Sequence, residues 1–363
     1  MERIVPGALA LLIIAAIASC SSEKSEEIKS TSGKTGTFTL VYSGNIGGKM
    51  RPCGCRIPLG GFARRSTAID GIRNEVGDIL VVDSGAMLYP SKYLYPPYDA
   101  IWSRIAYEVV DIVNDIGIDA LNVSSYDVAN SPDTLLAFDA KYPAQWLSAN
   151  IVWKDSGELV FPPDMVKQVG DFKVGVFGFM DGKSLGVDIF EEDDPVRVLD
   201  PLETVRKEVA ALRGRQCDII VALAYMDFQD VLDMLETVDG INVAVVSHTH
   251  EHTPSSDHVH FQPKKVGRTI AVRCPDGGRV IGRIDLDIVN GDTDFMNSED
   301  YIDLRPMAVR KKDPSPQQSL YTHTFIDLVP DVEGNQEIRT RINAFAKKIM
   351  DDALKQGIEY KVQ

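Results

Sequence analysis

Residues 51–56 read Arg-Pro-Cys-Gly-Cys-Arg. Two thiols one residue apart support three readings. The first is thiol/disulfide exchange. A disulfide across one intervening residue closes a small, strained ring, which Gly54 relaxes in part, and strained, exposed disulfides are easily reduced. Arg51 and Arg56 favour the thiolate by opposing its charge. The second reading is a metal clip, because thiolates ligate Zn or Cu, although Cys-x-Cys is tighter than the usual Cys-x-x-Cys. The third is a pair of thiols with no function. These residues alone leave all three open.

A second concentration of chemistry lies in HTHEHTPSSDHVH, which holds five of the six histidines: His248, His250, His252, His258 and His260. Alternating positions in an extended segment put His248, His250 and His252 on one side. Neutral imidazoles so placed can bind Zn, Cu or Ni. The competing reading is a histidine-rich surface loop without a ligand. Cys217, at the entry to CDIIVALAY, and Cys274, at the end of TIAVRC, read as buried small hydrophobes.

These residues need a scaffold, and the composition supplies one. The 363-residue chain is 44% hydrophobic and 25% charged, ordinary for a protein with a packed core. That length suits one large α/β domain or two small ones. A net charge of -15 argues against general affinity for nucleic acid phosphates.

MERIVPGALALLIIAAIASC joins a short charged start to an apolar run too short to span a bilayer comfortably, which fits a signal peptide over residues 1–19. Ile17-Ala18-Ser19-Cys20 resembles the lipobox of bacterial lipoproteins, which implies a lipidated Cys20 that anchors the chain to a membrane without spanning it. Ser21 favours the outer membrane if the cell is Gram-negative. The expected location is the bacterial cell envelope, facing the periplasm, where a disulfide is permitted. The polar residues 20–36 read as a flexible tether.

From residue 37 strands alternate with helices. TFTLVYSG, DILVVDSG, DALNVSS, WLSANIVW, DFKVGVFGFM, CDIIVALAY and INVAVVSHTH read as strands. Between them GFARRSTAIDGIRNEVG, YDAIWSRIAYEVVDIVNDIG, SPDTLLAFDAKY, PLETVRKEVAALRG and FQDVLDMLETV read as helices. GRTIAVRC and GRVIGRIDLDIV are expected to pair across the Cys-Pro-Asp-Gly-Gly turn. After Asn290 the pattern weakens into a polar connection, then closes on the amphipathic helix NQEIRTRINAFAKKIMDDALKQG. The alternation predicts α/β layering, with chemistry at the strand ends and no second domain of substantial size. The chain is expected to be monomeric.

The ordered landmarks YSGNIGG, LGGFARRST, LVVDSGA, DALNVSSYD, SANIV, FKVGVFGF, CDIIVALAY, SHTH and GRVIGRIDL resemble the metallophosphoesterase domain of the 5′-nucleotidase and UDP-sugar hydrolase family, over roughly residues 37–290. The resemblance implies an α/β sandwich of two mixed sheets flanked by helices, with two metal ions on loops at strand ends. It leaves residues 291–363 as an extension, without the substrate-binding C-terminal domain of full-length members.

Laid onto this chain, the family's ligand motifs fall on Asn45 and Gly47, on Ala86, on Ser125 and Tyr126, and on Tyr225. Only the last motif keeps its histidines, His248 and His250. A two-metal site needs carboxylates to balance and bridge the ions, so two-metal hydrolysis is expected to be lost. A rebuilt one-metal hydrolase is the lesser alternative. The same map brings Cys53 and Cys55 beside His248 and His250, a set that suits one Zn or Cu ion. PCGC followed by Gly-Gly-x-Ala-Arg-Arg also resembles an exported subgroup in which one cysteine position can be selenocysteine, which implies redox chemistry. Gly60, Gly61, Arg64 and Arg65 match a segment at the pocket rim, either as a tight turn or as an anion site. A related branch acts on sulfur conjugates, which makes a sulfur oxyanion one candidate anion. Any partner would be a redox or metal-transfer protein.

Overall fold

The computed structural model describes residues 33–184, 187–247, 260–313 and 315–362. Of the strands that build the two large sheets, the first in chain order are β1 (Gly36–Ser43), β2 (Leu80–Asp83), β3 (Ala120–Asn122) and β4 (Gln145–Leu147). They are followed by β5 (Asp164–Val169), β6 (Phe172–Met180), β7 (Ile219–Tyr225), β8 (Val243–Ser247), β9 (Lys264–Val266) and β10 (Thr269–Arg273). The last are β11 (Val280–Ile288), β12 (Met296–Asn297) and β13 (Leu320–Asp327). Among the described residues these strands form two sheets, ordered β12-β13-β11-β1-β2-β3-β4 and β9-β10-β8-β7-β6-β5. Both are mixed. β1 pairs in parallel with β2 but antiparallel with β11, and β7 pairs in parallel with both β6 and β8 while β5 runs antiparallel to β6.

Side-chain alternation builds the layers. Phe38, Leu40 and Tyr42 of β1 point between the sheets and meet Val174, Val221 and Val243 of the other sheet. Val41 points the other way, toward α1 (Phe62–Val76) and α2 (Asp99–Ile116). On the far side Ile220, Ala222 and Ala224 of β7 turn toward helices. Those helices follow α3 (Pro132–Asp139) in the chain and are α4 (Pro201–Gly214) and α5 (Phe228–Leu235). The result is the expected sandwich of two mixed sheets between helical layers.

One expected pairing is overturned. β10 and β11 do not pair with each other: β10 lies between β8 and β9 in one sheet, and β11 between β1 and β13 in the other. Residues 274–279 therefore cross from sheet to sheet. β10 is buried at Thr269, Ile270, Ala271 and Val272, as a central strand must be, whereas β11 alternates between buried and half-buried positions.

The segment beyond residue 290 is built into the same body. β13 adds to β11 over eight paired positions, from Val280 opposite Asp327 to Asp287 opposite Leu320. After the short helix α6 (Met307–Lys312), the long helix α7 (Gln336–Lys355) packs against α1 and α2 through Ile338, Ile342, Ala346, Ile349 and Ala353. Among the described residues no helix is long and apolar enough to cross a membrane.

Candidate functional site

The parallel strands of both sheets end on one side of the sandwich, and their last residues meet there. Ser43 ends β1 and donates its hydroxyl to Asp83 Oδ2 at 2.6 Å, at the end of β2. Gly85 N–H donates to Asp83 Oδ1 at 3.0 Å. Ser84 bridges the sheets, its hydroxyl hydrogen-bonded to that of Ser247 and 3.2 Å from Cys274 Sγ. Asn122 donates to Ser84 O at 3.1 Å and to Phe179 O at 3.0 Å, a second link between sheets.

Into this cluster projects Arg65, which is only 2% exposed. Arg65 is thus interior, not at a rim. Its neighbour Arg64 points outward, because successive residues on a helix lie about 100° apart. Burial lowers the Arg65 guanidinium to about 10, with the charges of Asp83 and Cys274 opposing. Burial raises Asp83 to about 6, opposed by Ser43, Gly85 and the charge of Arg65. Burial likewise takes the Cys274 thiol up to about 12.

Asn45, Gly47 and Ala86 sit on two adjoining loops. Asn45 N–H donates to Gly85 O at 2.9 Å, and Gly47 N–H to Ala86 O at 2.7 Å. Asn45 and Ala86 both hold positive φ, 56° and 57°, a strained setting for residues other than glycine. The strain on Ala86 is held by Asp127. Its carboxylate accepts the N–H groups of Ala86, Met87 and Leu88 at 2.9–3.0 Å and the Ser124 hydroxyl at 2.6 Å. Burial raises Asp127, and those donors oppose the rise. Ser125 is buried, and the rings of Tyr126 and Tyr225 lie 6.2 Å apart over the same strand ends.

Cys53 and Cys55 occupy a different place, a loop on the surface. Cys53 N–H donates to Leu59 O at 2.8 Å, and Leu59 N–H returns a bond to Cys53 Sγ at 3.4 Å. This pinch closes residues 53–59 and leaves Cys55 exposed near the tip, with open space around Gly54. Both are free thiols. Burial raises the Cys53 thiol, but a hydrogen bond from Cys55, the Leu59 N–H and the charge of Arg279 outweigh it, so its net shift is downward. Donating to Cys53 raises Cys55.

Gly60 and Gly61 follow with φ 80° and 92°, and a Cβ at either would strike Gly278 O at 2.8 Å or Pro52 Cδ at 2.9 Å. They are the turn that folds the loop onto α1. Arg64 holds the turn by donating to the carbonyls of Pro58, Gly60 and Leu328 at 2.6–3.4 Å.

Cys20, His248, His250, His252 and His258 lie outside the described residues. His260 is described and contacts Asp327 Oδ1 at 3.0 Å. Among the described residues no group of three or more histidine, cysteine or acidic side chains is placed to hold a metal ion. Sequence reasoning missed Cys274 and Arg279 as neighbours of the chemistry. The signal was the Gly277-Gly278 pair between them, whose positive φ values, 74° and 63°, let the chain turn through the cluster.

No family model matches the chain. The UshA protein of Escherichia coli (strain K12) is 24% identical over 322 residues, spanning 79% of this chain and 55% of that protein. The 5′-nucleotidase of Mus musculus is 26% identical over 206 residues, 53% of this chain and 33% of that protein. The chain thus spans about half the length, or less, of these relatives. Among solved structures, a 5′-nucleotidase precursor from Thermus thermophilus superposes with a TM-score of 0.67 at 18% identity, over 87% of this chain and 59% of that one. A sulfate thiohydrolase SoxB gives 0.64 at 16% identity, over 89% and 62%. The calcineurin-like phosphoesterase YfkN from Bacillus subtilis gives 0.64 at 15% identity, over 88% and 99%. In sequence the chain is similar to the UshA and 5′-nucleotidase proteins, and its two-sheet sandwich is the metallophosphoesterase fold.

Proposed function

We propose that this chain is an exported thiol oxidoreductase built on a hydrolase fold. The observation that supports it most is the Cys53–Cys55 pair on a pinched, exposed loop, with Leu59 N–H and the Cys55 thiol both directed at Cys53 Sγ. Donors aimed at one sulfur stabilise its thiolate, the nucleophilic form. The substrate class is a disulfide. Cys53 thiolate attacks one substrate sulfur, the substrate S–S bond breaks, and one thiolate leaves and takes a proton from water. The Cys55 thiol gives its proton to solvent and attacks Cys53 Sγ, releasing the second substrate thiolate. Two electrons pass from the protein dithiol to the substrate, and an external dithiol returns them.

The fold implies a two-metal hydrolase centre, and the described side chains do not fit one. Both oxygens of Asp83 and both of Asp127 already accept hydrogen bonds, and the buried cation beside Asp83 is Arg65. A guanidinium in that space opposes a divalent ion. We read the strand-end cluster as a degenerate centre that now serves structure.

Cys53→Ser is expected to abolish reduction of a small disulfide, and Cys55→Ser to stop it at a mixed disulfide visible by mass spectrometry. Full activity in both variants would sink the proposal. A phosphatase screen with Mn, Zn and Mg is expected to give no turnover above background. Metal analysis of untagged protein tests the other reading, one Zn or Cu held by Cys53, Cys55, His248 and His250. About one tightly bound ion per chain, lost on cysteine substitution, would favour it. We also propose that Cys20 carries the lipid anchor, which places the protein at the cell envelope, facing the periplasm. Release of Cys20→Ala protein into the soluble fraction tests this.

A further inference from the structure

A cavity of about 320 Å³ lies between the loop that leads into the thiol pair and helix α7. Arg51, Arg64 and Arg339 line it together with Asn343, over an apolar floor that includes Met50 and Ile342. Three guanidiniums around one cavity are unexpected in a chain of net charge -15. None is in an ion pair with a carboxylate among the described residues. Arg64 and Arg339 instead donate to backbone carbonyls, Arg339 to Gly334 O at 3.2 Å.

The arginines also act on one another. Burial lowers Arg64, and the charge of Arg339 lowers it further. The cavity wall includes Gly61 and Ala63, where α1 begins with no side-chain cap and no acidic residue in its first turn. The positive end of that helix therefore adds to the field. Like charges held together without counter-charge favour an anion that can bridge them, and guanidiniums match carboxylates in geometry.

The cavity adjoins the thiols. Pro52 lines it and precedes Cys53, and the charges of Arg64 and Cys53 act on each other. We propose that the cavity binds the carboxylates of a small anionic disulfide and presents its S–S bond to Cys53. This rests on the redox reading and names its substrate class.

The pre-reduced protein is mixed with three disulfides in single-turnover reactions at low salt: anionic oxidised glutathione, neutral 2-hydroxyethyl disulfide and cationic cystamine. The protein's overall negative charge alone would rank the cation first. The proposal ranks the glutathione disulfide first, by about tenfold over the neutral compound, with the ratio shrinking in Arg51→Gln and Arg339→Gln and with added salt. Equal rates, or a preference for cystamine, overturn the anion cavity and leave the redox reading standing. No reaction with any of the three, from folded protein, overturns the redox reading. The cavity is then judged by calorimetric titration of Cys53→Ser protein with glutathione sulfonate, an unreactive anion. Binding weakened about tenfold by Arg339→Gln supports the anion site, and no binding overturns it.

Discussion

Asp83 and His323 are two titratable side chains that burial shifts in opposite senses. Asp83 rises from 3.8 to about 6. Between those pH values the unfolded chain has released a proton that the folded chain keeps, so stability falls as pH rises through the window. His323 accepts or donates one hydrogen bond with the Tyr42 hydroxyl at 2.7 Å. Burial first, then the charge of His260, lowers it from 6.5 to about 4. As pH falls from about 6.5 to about 4, the unfolded chain takes up a proton that the folded chain refuses, so stability falls in that direction. Asp83→Asn, which can still accept from Gly85 and donate to Ser43, is expected to flatten the first trend, and His323→Gln the second. Urea midpoints measured from pH 4 to 8 separate them, and unchanged slopes would contradict both assignments. The strand ending in Asp-Ser-Gly made Asp83 legible in the sequence. Arg65 was not legible as a core residue, because Arg-Arg on a helix does not say which arginine turns inward. That depends on the sheet packed beneath it.

Helices were the easiest elements to read, and α7 shows why. Its buried residues recur at spacings of four and three, a stripe visible in the letters. Arg341 secures the flank by reaching Glu108, Asp111 and Asp115 of α2 at 2.6, 2.8 and 2.9 Å. Ile349 is fully buried. Ile349→Ala is expected to cost about 2–4 kcal/mol in urea unfolding, whereas Arg341→Ala, whose partners are partly solvated, should cost about 1 kcal/mol or less. The reverse order would mean that charge, not packing, docks the helix. Strand partners were harder. The glycine-rich turn after Cys274 has the local chemistry of a hairpin, and only long-range packing decides that its two arms enter different sheets. β13 escaped notice because its burial is mixed along its length, so neither period stands out.

The whole molecule is tied together where its two sheets end. On their way from β10 to β11, residues 274–279 hydrogen-bond directly to Asn45 and Leu328, and through Leu328 they reach Gly60. Gly277 N–H donates to Asn45 O at 2.8 Å, Leu328 N–H to Arg279 O at 3.0 Å, and Gly60 N–H to Leu328 O at 2.9 Å. The loop bearing Cys53 and Cys55 is thereby fixed at its C-terminal base, while β1 before it is gripped on both sides, by β11 and by β2. Arg56, at the exposed tip, is followed by Ile57, whereas Arg51 precedes proline and so resists trypsin. Brief digestion is expected to cut after Arg56 and yield two fragments that co-elute at the uncut size until urea separates them. Immediate separation would show that the short piece is held mainly by its peptide bond. If it stays, β1 together with both thiols, Cys53 and Cys55, behaves as a removable part. A synthetic strand carrying an altered Cys53 could then be exchanged into the remaining body.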